Sequence, residues 1–246
     1  MKTITMKAIK RIGCRLFGGG GAGAASVELL AGLLVCLAAG QAADAQGTIY
    51  LDNDLPGVVV SHVYAPLPSN VYFSQIGNGP NDYPAGVTSW TGFTLIGANG
   101  VNGQYGAGTT YAQLLAAPGY NQPESSLVPQ TPYTTFRAGA GAGFVPLVTV
   151  TLNNVGFSAP ATVEMVAWDD SSGLYSSWTS ASAAWLHGGI AAGASGRLNL
   201  TLGSPAGLTT CLTNLPSFNL YIIPEPSTVA LAGLGLATLF ICRRSK

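Results

Sequence analysis

Between residues 46 and 223 the apolar positions fall into short runs separated by clusters of Gly, Pro and Asn, which is the punctuation of β-strands. Three runs are clearest. Residues 147–152 (LVTVTL) and 162–168 (TVEMVAW) alternate or nearly so, and 217–222 (SFNLYI) alternates cleanly, with Phe218, Leu220 and Ile222 on one face. The same reasoning predicts strands over 47–51, 58–64, 71–75, 91–96, 109–116, 131–137, 197–202, 208–212 and 218–223, with the second of the clear runs read as 161–168.

One stretch breaks this rhythm. Residues 177–187 are Ala-rich, begin at Ser177 as an N-cap and meet Gly188-Gly189 where a helix needs a C-cap. The spacing predicts one short helix with Trp178, Ala181 and Trp185 on a shared face against the sheet. Residues 99–108 and 138–143 read as Gly-rich loops, and no period of twenty to fifty residues recurs. Many short strands, one minor helix and polar turns predict a mostly β fold, an antiparallel β-sandwich of the jelly-roll or immunoglobulin-like kind.

The two ends of the chain follow different rules. Residues 1–17 carry Lys2, Lys7, Lys10, Arg11 and Arg15 and no acid, and an apolar run over 29–39 follows. Ala43 and Ala45 supply the small residues that a signal peptidase reads, so a signal peptide is expected over 1–45, with Gln46 the new N-terminus and the Sec machinery as its carrier. At the other end, Pro224-Glu225-Pro226 precedes an uncharged apolar run, 227–242, and a basic tip of Arg243, Arg244 and Lys246. As a helix that run would rise roughly 24 Å against a hydrocarbon core of about 30 Å. Cations resist translocation, so the tip is expected in the cytoplasm, the helix in the inner membrane and the Pro-Glu-Pro at its outer face. Pro226 suits a helix start because its missing N–H would be unpaired there anyway, and Ser227 and Thr228 suit its cap.

These three parts in this order resemble a PEP-CTERM sorting signal, over residues 222–246. The resemblance implies an exported protein of a Gram-negative, exopolysaccharide-producing bacterium, handled by an exosortase that recognises and processes the tail. It also implies that the domain over 46–221 sits against the outer face of the inner membrane, facing the periplasm, until it is released to the cell surface or extracellular matrix.

Charge and cysteine narrow the partners. The formal balance is zero, but eight of the ten basic residues lie in the two ends. The segment between keeps Arg137 and Arg197 against seven acids, a net charge of −5, which excludes a phosphate-neutralising surface and argues against nucleic acid. Cys211 stands alone there, so no internal disulfide is expected, and its strand-like setting reads as a small buried hydrophobe.

Candidate chemistry is sparse. Neither His62 nor His187 lies in a nucleophile motif, and His187 ends the expected helix, where a cation suits the dipole. Glu164 and Asp169 are the best pair of carboxylates for glycoside hydrolysis, yet 169–173 (DDSSG) also reads as a hairpin turn. Residues 52–54 (DND) start like a calcium loop but continue with Pro56 and lack an acid at the twelfth position, where Val63 stands. No metal-ligand set, phosphate loop or cofactor motif is read. Tyr64, Tyr72, Phe73, Tyr83, Trp90, Tyr105, Tyr111 and Tyr120 crowd one half, as core or as a surface that stacks on sugars. The expected function is therefore a non-enzymatic envelope or matrix protein linked to exopolysaccharide; the alternative is a carbohydrate-binding module or degenerate glycoside hydrolase on a β-sandwich.

Overall fold

The structure is a computed structural model and describes residues 46–204 and 209–224. The signal peptide expected over 1–45 and the membrane helix expected over 227–242 lie outside the described residues. Among the described residues no helix is long and apolar enough to cross a membrane.

In chain order the strands are β1 (Gln46–Leu51), β2 (Asp54–Leu55), β3 (Val59–Val60), β4 (Val63–Tyr64), β5 (Thr110–Pro118), β6 (Val128–Pro129), β7 (Thr134–Thr135), β8 (Val148–Gly156), β9 (Pro160–Asp169), β10 (Ala192–Ala194), β11 (Leu198–Thr201), β12 (Thr210–Cys211) and β13 (Phe218–Asn219). The one α-helix, α1 (Trp178–Leu186), lies between β9 and β10. The fold is mostly β, and most pairings are antiparallel; β1 with β12 and β4 with β13 are short parallel pairs.

A large sheet has the order β10-β9-β5-β6, with β11 also on β9 and β7 also on β5. A smaller sheet has the order β12-β1-β8. The two share one core. Ile49 and Leu51 of β1 and Val150 and Leu152 of β8 pack with Ala112, Leu114 and Ala116 of β5 and with Val163, Met165 and Ala167 of β9. The turn between β8 and β9 carries the chain from one sheet to the other.

The second face of the large sheet is covered too. Leu115, Ala117, Val166, Trp168 and Ala192 pack under Ala181 and Trp185 of α1. This explains the burial of β9 at every position after Pro160, where simple alternation would leave one face wet. The helix forms where its punctuation predicts. The Ser177 hydroxyl accepts from the Ser180 amide, and Gly188 takes a left-handed φ of 69° just past the end. Trp178, Ala181 and Trp185 do face the sheet.

Residues 71–75 and 91–96 are not strands. Their amides go elsewhere: Tyr72 and Phe73 donate to Asn70, Gln75 donates to the Asn219 side chain, and Phe93 donates to Trp90. Turns and a distant asparagine satisfy this backbone in place of a ladder. The expected strand over 58–64 is real at both ends, but Ser61 and His62 interrupt it by donating to Asn53 and to the Ser217 hydroxyl.

Candidate functional site

The end of the domain is held deep in the structure. Phe218 and Asn219 pair with Val63 and Tyr64, and Tyr221 bridges Ala192 of the large sheet. The Asn219 side chain is buried and works in both directions. Its Oδ1 accepts from Gln75 N at 2.7 Å, and its Nδ2 donates to Phe73 O at 2.8 Å. Trp185 of α1 donates from Nε1 to Tyr221 O at 2.8 Å, and Ile222 N donates to Val71 O at 2.9 Å. Every link from 218 to 222 is thus occupied, and the Pro-Glu-Pro begins two residues later.

Beside β13 sits a cluster of Asp82, His62 and Ser217. Asp82 Oδ1 accepts from His62 Nδ1 at 2.6 Å; its Oδ2 accepts from Ser217 Oγ at 2.8 Å and from Gly79 N at 2.6 Å. Burial pushes the Asp82 carboxyl up, but the hydrogen bonds from His62, Gly79 and Ser217 outweigh it and hold the group below the usual carboxylate range. These are the residue types of a hydrolytic triad in a different geometry. The hydroxyl and the imidazole both bond the acid, and among the described residues no hydrogen bond joins them to each other. Ser217 is fully buried as well. The cluster ties the 77–91 loop to β13.

That loop forms one wall of a cavity of about 320 Å³, lined by Tyr64, Asn81, Thr88, Ser89, Trp90 and Thr91 among others. Tyr64 and Trp90 stack with centroids 4.3 Å apart and planes 10° apart, and Phe93 meets both edge-on. Burial, with the Asp82 charge behind it, pushes the Tyr64 phenol up to about 12.

The structure separates Glu164 from Asp169. They lie five positions apart on β9, hence on opposite faces and roughly 17 Å apart along the strand, beyond the roughly 5–9.5 Å that paired glycosidase carboxylates span. Glu164 lies buried on the helix-covered face, one oxygen without a partner, and burial pushes it up to about 7, with Glu124 adding to the rise. Asp169 and Asp170 make the turn: Asp169 accepts from Ser171 N, Ser171 Oγ and Tyr105 N, and Asp170 accepts from Tyr175 N.

The calcium-like run is likewise inward. Asn53 is fully buried, donates to Ser61 O and Gly143 O and accepts from Val145 N, while Asp54 pairs with Arg137. His187 is the exposed C-cap residue of α1, and Cys211 is half-buried on β12. Arg197 reaches Gln122 O. The aromatic residues divide. Tyr64, Phe73 and Trp90 meet around Phe93; Tyr111 joins Trp168 and Tyr133 on the other face of the large sheet.

The polar residues that hold this region together, Asp82, Ser217 and Asn219, are not readable as a set in the sequence. One signal was available: Asp82 is the only charged residue between Asp54 and Glu124. A lone charge in so long a neutral run is a candidate for a buried group, and a buried charge must be bonded.

These features define a β-layered domain whose last strand is locked into its core and leads directly into a terminal address. The family model for the PEP-CTERM protein-sorting motif matches residues 223–245, so the match begins one residue after Ile222, the last amide bonded into the domain among the described residues. This motif marks an exported, membrane-associated protein handled by an exosortase. No curated protein and no solved structure matches the chain.

Proposed function

We propose that this chain is a non-enzymatic protein of the cell envelope or extracellular matrix. A tail helix over 227–242 anchors it in the inner membrane, facing the periplasm, until an exosortase cuts near Pro224-Glu225-Pro226 and releases it into an exopolysaccharide-rich surrounding. One observation carries the reading: the sorting motif starts directly after Ile222, whose amide is still bonded into the domain. Two facing sheets with a shared core support the sandwich, and the Sec-type signal peptide over 1–45 completes the route. The non-enzymatic part draws on the separation of Glu164 from Asp169 and on the buried, acid-bonded Ser217.

The test is to replace Pro224 and Pro226 with Ala, or Glu225 with Lys, in the producing cell and to fractionate membranes from culture fluid. Processing by an exosortase predicts release of the wild type and retention of the variants in the membrane. Equal release of all three refutes it. A second reading, carbohydrate binding, draws on the cavity beside Trp90 with its three hydroxyl residues Thr88, Ser89 and Thr91. Binding of the released protein to the host polysaccharide, lost in Trp90→Ala, is its expected result.

A further inference from the structure

We propose that the rim of the domain around Ile222 lies on the lipid surface, with Tyr72, Phe73 and Ile76 seated in the headgroup region. The inference rests on the reading that the tail is a membrane anchor, and goes beyond it by assigning the domain's own lipid-facing side.

The first support is connectivity. Residues 71–76 are strapped to the outgoing chain by Ile222 N to Val71 O, by both polar atoms of Asn219, and by the bridge between Ile76 and Phe218. From Ile222 to the start of the expected membrane helix at Ser227 is five residues, at most roughly 18 Å of extended chain. The headgroup layer itself takes up about 5–8 Å of that on each side of the bilayer. The strap therefore stays close to lipid for as long as the anchor is attached.

The second support is what the strap exposes. Tyr72 is 55% exposed, Ile76 51% and Phe73 40%, three large apolar side chains within five residues. Such a cluster on a surface needs a partner, and an aromatic pair with one aliphatic neighbour suits the interface between water and hydrocarbon. On the other side of the exit, Ile222 lines a cavity of about 230 Å³ with Leu174, itself strongly exposed, and Ile190.

The third support is missing charge. Between Asp54 and Glu124 the sequence holds a single acid and no Lys or Arg: Asp82, which is buried and bonded on both oxygens. Asp169, which lines the cavity beside Ile222, and its neighbour Asp170 are buried and engaged by Tyr105, Ser171 and Tyr175. Seating residues 71–76 against lipid thus takes no charge of the strap's own out of water, which is the principal cost of approaching a bilayer, while the exposed Glu124, whose charge acts on Tyr221, and Glu225 of the exit stay at the hydrated headgroup level.

The experiment uses the full chain reconstituted in phosphatidylethanolamine and phosphatidylglycerol vesicles, with the four native cysteines changed to serine. A single cysteine replaces either Tyr72 or Ser158 and carries a bimane fluorophore. Ser158 is exposed in the β8–β9 turn, at the end of β9 opposite Trp168, which pairs with Ala192 beside Tyr221; that is roughly 26 Å along the strand. Brominated lipid is expected to quench the label at 72 about threefold or more over the label at 158. Equal quenching in vesicles that carry the protein on flotation overturns the inference and leaves the anchor standing. A label at 72 that is blue-shifted but unquenched also overturns it, because a protein partner or a second copy then covers the strap. Failure to float with the vesicles removes both the anchor and the inference.

Discussion

Replacing Asp82 with Ala tests what holds the 77–91 loop to the domain. The substitution deletes one acceptor group and leaves three donors without it: His62 Nδ1, Ser217 Oγ and Gly79 N. Hydrogen bonds to a charged group contribute about 1.5–3 kcal/mol each, but bonds sharing one carboxylate do not add, and breaking a buried charged network costs about 3–5 kcal/mol. The expected loss is therefore about 3–5 kcal/mol, a large share of the roughly 5–15 kcal/mol that holds a domain folded. Asp82→Asn keeps one acceptor oxygen but turns an amide toward a donor, so it is expected to lose about 1–3 kcal/mol. The folded carboxyl lies below its ordinary value, so its contribution is fully present at neutral pH and fades as pH falls below about 4, through the folded value. Urea unfolding of the released protein at pH 7 gives the magnitude. Hydrogen exchange adds location, since Gly79 should exchange far faster in Asp82→Ala while the β9 amides keep their order. A cost below about 0.5 kcal/mol for the Ala variant refutes the assignment of this cluster as a structural tie.

Two further outcomes follow from the same structure. The Glu164 carboxyl is pushed up to about 7, so the folded state binds its proton more tightly than the unfolded chain, and stability should fall by about 2–3 kcal/mol as pH rises from about 4 through 7; Glu164→Gln should flatten that slope in urea titrations across this range. At Gly193 an added Cβ would come within 2.3 Å of Asn219 O and 3.1 Å of its carbonyl carbon, both backbone, so Gly193→Ala should cost about 1–3 kcal/mol and make the chain after β13 more sensitive to limited proteolysis.

Local periodicity made β1, β8, β9 and α1 legible, because alternation or capping shows in each element's own residues, even though β1 pairs with β8 across the chain, Ile49 opposite Val150. Alternation within β9 does not by itself give the burial of both its faces, which comes from α1 covering the second one. Residues 71–75 carried strand-like composition, but Asn219, well over a hundred positions away, takes their hydrogen bonds. The buried polar tie was hidden in the same way. Asp82 looks like one more turn acid until Ser217 and His62 are brought to it, and only the surrounding neutrality of the sequence marked it. Glu164 and Asp169 were close in sequence and chemically suited, yet an odd spacing on a strand sends them to opposite faces. The sorting motif was the most legible part of all, since it is set by residue identity and order along the chain rather than by tertiary contacts.

If the domain over 46–221 is cargo and residues 222–246 its removable address, intact-mass spectrometry of the wild-type protein from the membrane fraction and from culture fluid should find two forms. The membrane-bound form is expected to begin near Gln46 and keep Arg243, Arg244 and Lys246, and the released form to end near Pro224-Glu225-Pro226. Released protein that still carries the basic tip would refute the proposed processing.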